Sequence, residues 1–128
     1  MNENYITDYF VEKPKFNILN NLYLISTDIE RNDIVEVLIT GYKYDFFESG
    51  NKLIYTFVEY PVPSIYGSRF TDCVRSTEID SNTPCVINGS QYFVCSTVKN
   101  AIYAKEKHLT NIYNSTIEKL NKLSENLD

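Results

Sequence analysis

Few side chains in this sequence are of a type and spacing to do chemistry. His108 is the single histidine, set in Lys105-Glu106-Lys107-His108 within a helical pattern. Nucleophilic catalysis needs a base within hydrogen-bond reach of the nucleophile. Here the neighbours are charged residues of a solvated helix face, so His108 reads as a surface residue. Cys73, Cys85 and Cys95 are odd in number and lack C-x-x-C spacing, so reduced thiols acting as small, buried apolar strand residues are expected. One histidine and three scattered cysteines make no zinc pattern. Asp28-x-Glu30-x-x-Asp33 matches a calcium loop in part, but the central glycine and the terminal glutamate are missing. Glycines 41, 50, 67 and 89 never approach the spacing of a phosphate-binding loop. The carboxylate pairs Asp45/Glu48 and Glu78/Asp80 read as exposed turn charges. No metal or cofactor is expected, and no residue argues for an enzyme.

What remains is surface. The chain has 17 acids against 12 Lys and Arg, a net charge of −5, and 11 tyrosines without a tryptophan. Phosphate binding needs a basic surface, so nucleic acid is a poor direct partner, and an anionic membrane surface is disfavoured for the same reason. A basic protein partner is favoured instead. The charge is uneven: residues 1–80 carry 13 acids and 7 bases, and residues 81–128 carry 4 and 5. Exposed tyrosine on a rigid strand gives large contact area at small entropic cost. The candidate partner-binding residues are therefore the acids Asp28, Glu30, Asp33, Asp45, Glu48 and Asp80, with Tyr42, Tyr44 and Tyr66 as aromatic anchors. No apolar run approaches the roughly 20 residues that span a bilayer. Met1-Asn2-Glu3-Asn4 lacks the positive start of a secretory signal, so a cytoplasmic location is expected.

The elements that must position these residues begin with Gly41–Tyr60, where two aromatic-rich arms flank the turn cluster Glu48-Ser49-Gly50-Asn51-Lys52. This reads as a β-hairpin, with Tyr42, Tyr44 and Phe46 on one face of its first arm and Leu53, Tyr55 and Phe57 on one face of its second. Ile34–Thr40 is the most β-branched run and reads as a core strand, continued past a bend or bulge at Gly41. Leu22–Thr27 and Thr71–Ile79 read as further strands. In Thr71–Ile79, Cys73 and Arg75 take one face and Val74 the other. Asn88-Gly89 between apolar arms is the preferred two-residue hairpin turn, and it sets Cys85 opposite Tyr92 and Ile87 opposite Ser90. Cys95 then falls away from Cys85, and a disulfide within the hairpin is disfavoured.

Asn4–Val11 has helical spacing and ends before Pro14. From Ser96 the period turns helical to the C-terminus, capped by Ser96 or Thr97. A stripe of Val98, Ile102, Leu109, Ile112/Tyr113, Thr116/Ile117, Leu120, Leu123 and Leu127 is expected to cover the sheet. At 128 residues one domain is expected. The fold expected is α+β: a mostly antiparallel sheet of roughly four to six strands, a long C-terminal helix and a short N-terminal one.

This profile of length, acidity, tyrosine and asparagine content, and a polar MNENYITDYF start resembles the immunity proteins of bacterial toxin systems, particularly contact-dependent growth inhibition. The resemblance implies a cytoplasmic protein that neutralises a cognate toxin, often a nuclease with a basic active site, by stoichiometric binding. Two other classes fit the composition. One is a phage anti-defence inhibitor that mimics nucleic acid, although here the acids are interspersed with lysines. The other is a small ligand-binding domain or enzyme with an aromatic pocket of Tyr42, Tyr44, Tyr55 and Phe57.

Overall fold

The computed structural model describes residues 13–45, 52–59 and 71–127. Alternation of apolar and polar residues produces six strands, β1 (Asn21–Ser26), β2 (Ile34–Asp45), β3 (Lys52–Glu59), β4 (Thr71–Arg75), β5 (Cys85–Ile87) and β6 (Ser90–Cys95). A 3-10 turn, Ser76–Glu78, follows β4, and one long helix, α1 (Val98–Glu125), follows β6. Every strand pair is antiparallel, in the order β4-β3-β2-β1-β6-β5. The α+β expectation and the sheet thus hold. The short helix expected at Asn4–Val11, along with Glu48 and Tyr66, lies outside the described residues.

Two sequence devices shape this sheet. The register of β2 on β3 shifts between Ile39 and Gly41; this bulge bends β2 and lets one 12-residue strand serve both β1 and β3. At the other end, Asn88 and Gly89 take φ of 49° and 81° and join β5 to β6 in the expected register, Cys85 with Tyr92 and Ile87 with Ser90. The curled sheet is nearly a barrel. Its edge strands β4 and β5 meet without a ladder between them. A side chain crosses the gap: Asp72 Oδ2 accepts the Asn88 N–H at 2.9 Å, while Oδ1 accepts the Cys73 N–H at 2.7 Å.

Period-two alternation sorts the side chains. Leu22, Leu24, Val37, Ile39, Leu53, Tyr55, Phe57, Val74, Ile87 and Val94 fill the interior, with Ile79 beside them. Cys73 and Arg75 share one face opposite Val74, as expected, but that face is the outer one, so Cys73 is exposed and not the buried strand cysteine expected. The Tyr55 hydroxyl accepts hydrogen bonds from the main-chain N–H of Lys15 and Phe16, and the Phe16 ring meets the Tyr55 ring edge-on at 5.7 Å. The segment before β1 thus closes over the interior. Tyr55 and Phe57 are 0% and 2% exposed and belong to the core, whereas Tyr42 is 47% exposed, so the four rings do not line one aromatic pocket. Leu19 in that segment is held at φ 76°, its N–H bonded to the Ile39 carbonyl at 2.7 Å.

The outer faces of β1 and β6 bury Ile25, Phe93 and Cys95 under Ala101 and Ala104 of α1. Thr97 caps the helix, its side chain accepting the Asn100 N–H at 3.0 Å. The expected docking face is corrected here. The residues that meet the sheet are Ala101, Ala104 and Lys105, and Val98 and Ile102 of the apolar stripe stay 43% and 45% exposed. The reason is geometric. Alanine lets the helix approach closely, whereas 28 helical residues run about 42 Å and a six-residue strand only about 20 Å. Most of the helix therefore overhangs the sheet.

Candidate partner-binding surface

Helix α1 runs back along β6 toward the β1–β2 loop, residues 27–33, and there Lys105 meets it. Lys105 Nζ donates to the main-chain carbonyl of Ser26, to that of Asp28 at 2.5 Å and to that of Arg31 at 2.9 Å. Three ammonium protons meet three carbonyls, which fully satisfies the group. Lys105 is only 4% exposed. Desolvation pulls its pKa below that of a free lysine, against the pull of the Asp28 carboxylate. A buried ammonium is tolerated only when so paired.

The loop's own bonds complete the clamp. Ser26 Oγ accepts the Asp28 N–H at 3.0 Å, Asp28 Oδ1 accepts the Glu30 N–H at 3.0 Å, and the Arg31 N–H reaches the Asp28 carbonyl at 3.0 Å. Because the carbonyls turn inward to Lys105, the side chains of Asp28, Ile29, Glu30 and Asp33 turn to solvent. Arg31 Nε stands 4.0 Å from Asp28 Oδ2, an exposed pair of small energetic weight. The outcome is a hydrogen-bonded, outward-facing acidic loop.

The other sequence-predicted residues are placed elsewhere. Tyr42 and Tyr44 lie beyond the bulge of β2, ring centroids 6.2 Å apart and nearly perpendicular, with Tyr42 47% exposed and Tyr44 half-buried. Asp45 ends that strand. From Ile34 to Asp45 the strand contour is roughly 36 Å, so the Asp28/Glu30/Asp33 group and the Tyr42/Tyr44/Asp45 group sit at opposite ends of β2. Asp80 belongs to a third place. Its carboxylate accepts the Ser96 N–H at 2.9 Å, the Ser96 hydroxyl at 2.5 Å and the Asn100 side-chain amide at 3.2 Å, all at the start of α1. It serves the helix N-terminus, where negative charge is favoured.

His108 is half-buried rather than solvated, its ring edge-on to Phe93 at 5.4 Å. The cysteines also differ from one another. Cys95 is buried, Cys85 is half-buried, and Cys73 is exposed beside a cleft of about 490 Å³ lined by Thr40, Lys43, Thr56, Phe57, Val58 and Asp72. Burial first, then nearby acids, pushes the Cys85 and Cys95 thiols up to about 12. Among the described residues no three His, Cys, Asp or Glu side chains gather as metal ligands, and no helix is long and apolar enough to cross a membrane.

Sequence reading missed two features, the burial of Lys105 and the overhang of α1. The signal for the first was present in Ala101, Ala104 and Lys105, which share one helix face at i, i+3 and i+4. Comparison with family models, curated proteins and solved structures finds no match to this chain.

Proposed function

We propose that this chain is an immunity-type inhibitor that binds a basic toxin domain in the cytoplasm, such as a nuclease, and neutralises it stoichiometrically. One observation carries the reading: Lys105 holds the 27–33 loop by three carbonyls, so Asp28, Glu30 and Asp33 are displayed on a backbone already ordered. A pre-ordered loop loses little entropy on binding. Its exposed carboxylates steer a basic partner and complement a site built to hold phosphates. Tyr42, Tyr44 and Asp45 offer a second contact point at the far end of β2, for a partner broad enough to reach it.

The test is a pulldown with the tagged chain from its native lysate, together with the products of neighbouring genes. The expected result is a near-stoichiometric basic protein, toxic when expressed alone, whose complex weakens in high salt. Reversing all three loop acids, Asp28→Lys, Glu30→Lys and Asp33→Lys, is expected to cost roughly 2 kcal/mol or more of that affinity. Unchanged affinity in the triple variant would rule out the loop as the binding site. A recovered partner with no toxicity of its own would rule out the immunity reading.

A further inference from the structure

Beyond His108 and Leu109 the helix leaves the sheet, and every residue from Thr110 to Leu127 is exposed. The free part of α1, Thr110–Glu125, is about 24 Å long. It is not a polar arm. Tyr113, Leu120 and Leu123 are 65%, 55% and 62% exposed, with Ile112 and Ile117 flanking them at 41% and 38%. Single exposed apolar residues are ordinary, but a continuous stripe marks a surface meant to be covered.

We infer that this arm pairs antiparallel with the same arm of a second copy of the chain. The first support is the spacing. Tyr113, Thr116, Leu120 and Leu123 on the free helix are separated by 3, 4 and 3 residues, a heptad seam whose intervals read the same in both directions. A two-fold axis level with Glu118 therefore sets Tyr113 opposite Leu123 and Thr116 opposite Leu120 of the second copy. Each layer then joins residues that fill it evenly. A parallel pairing would stack Tyr113 on Tyr113 and Thr116 on Thr116, crowding one layer and leaving another small and polar.

Charge gives the second support. Residues 1–80 carry a net −6, and antiparallel arms hold the two acidic heads at opposite ends instead of side by side. Area gives the third. The exposed side chains of the stripe amount to on the order of 500–600 Å² per copy, so covering both stripes completely reaches the roughly 1,000 Å² in total that a specific interface needs. The contact is isologous and closes on itself, so it makes a dimer and not a fibre. It also leaves the 27–33 loop free, so the pairing stands independently of the inhibitor reading.

Sedimentation equilibrium of the full chain, from low micromolar to a few hundred micromolar, reads the pairing directly. The expected mass climbs from 14.9 kDa toward twice that value. Leu120→Glu with Leu123→Glu holds the chain at the single mass, with an unchanged near-ultraviolet spectrum because both side chains lie away from the core. The loop variant Asp28→Lys/Glu30→Lys/Asp33→Lys dimerises like the parent. Orientation is read on a Cys73→Ser background by mixing Thr116→Cys chains with Leu120→Cys chains under mild oxidation. The mixed 116–120 cross-link is expected to dominate. Dominant 116–116 cross-links overturn the antiparallel arrangement. A parent chain that stays at 14.9 kDa throughout overturns the pairing, and so does one that stays single yet co-sediments with phosphatidylglycerol vesicles, which would make the stripe a lipid-facing surface.

Discussion

Lys105 and Asp28 meet through the backbone of one and the side chain of the other. The Lys105 ammonium stands 2.5 Å from the Asp28 main-chain oxygen, while the Asp28 carboxylate turns away to cap the Glu30 N–H. The two opposite charges are brought near each other by the fold, yet the lysine spends its protons on carbonyls of Ser26, Asp28 and Arg31. The carboxylate is thereby left on the surface, where a partner can reach it.

Lys105→Met retains the apolar stem and removes the ammonium, leaving three loop carbonyls without their donor. The expected loss is about 3 kcal/mol of unfolding free energy, because orphaned polar groups forfeit their full solvation. Urea denaturation measures it. A midpoint within experimental scatter of the parent would mean that the clamp does not hold the loop.

Asp80 and Asp28 look alike in composition and differ in duty. Asp80→Ala removes three acceptor contacts at the helix start and is expected to cost roughly 1–2 kcal/mol. Asp28→Ala loses only exposed bonds and is expected to cost about 1 kcal/mol or less. Thermal unfolding of the two variants side by side checks the order, and a reversed order would overturn these assignments.

Leu19 occupies a left-handed conformation at φ 76° while 67% exposed. A Cβ is disfavoured there by roughly 1–2 kcal/mol, and little burial is at stake. Leu19→Gly is therefore expected to raise stability by about 1 kcal/mol after allowing for the looser unfolded chain. Chemical denaturation would show a higher midpoint with the same slope.

Thiol reactivity should separate the three cysteines. At pH 8 Cys73, which is exposed, is expected to react with a thiol reagent in the native state. Cys85 and Cys95, with pKa values near 12, are expected to react only on unfolding. Linkage gives the sign of the accompanying pH effect. An unfolded thiol titrates near pH 8.5, while the folded pair keeps its protons to about 12. The folded state therefore binds more protons in that window, and this contribution to stability is complete below it and falls as pH rises through it. Denaturation midpoints that rise between pH 9 and 11 in the parent, but not in a Cys85→Ala/Cys95→Ala variant, would contradict the shift.

The sequence by itself determined those features that depend on local backbone chemistry. Asn88-Gly89 prescribed the β5–β6 register because both positions need positive φ. Thr97 marked the helix start because its hydroxyl reaches the Asn100 N–H. Gly41 marked the bend in β2, and alternation sorted Val74 from Cys73 and Arg75. Tertiary structure decided everything that depends on distant parts of the chain meeting. Lys105 is buried because three carbonyls 74 to 79 residues earlier in the chain converge on it, and no local pattern reports that. The acids divide among three places because β2 is long and Asp80 folds back on Ser96, so charges that read as one patch are separated by the contour of a strand. The apolar stripe of α1 promised a covered face, but the helix outruns the strands beneath it. Its length was legible, and the small extent of the sheet available to it was not.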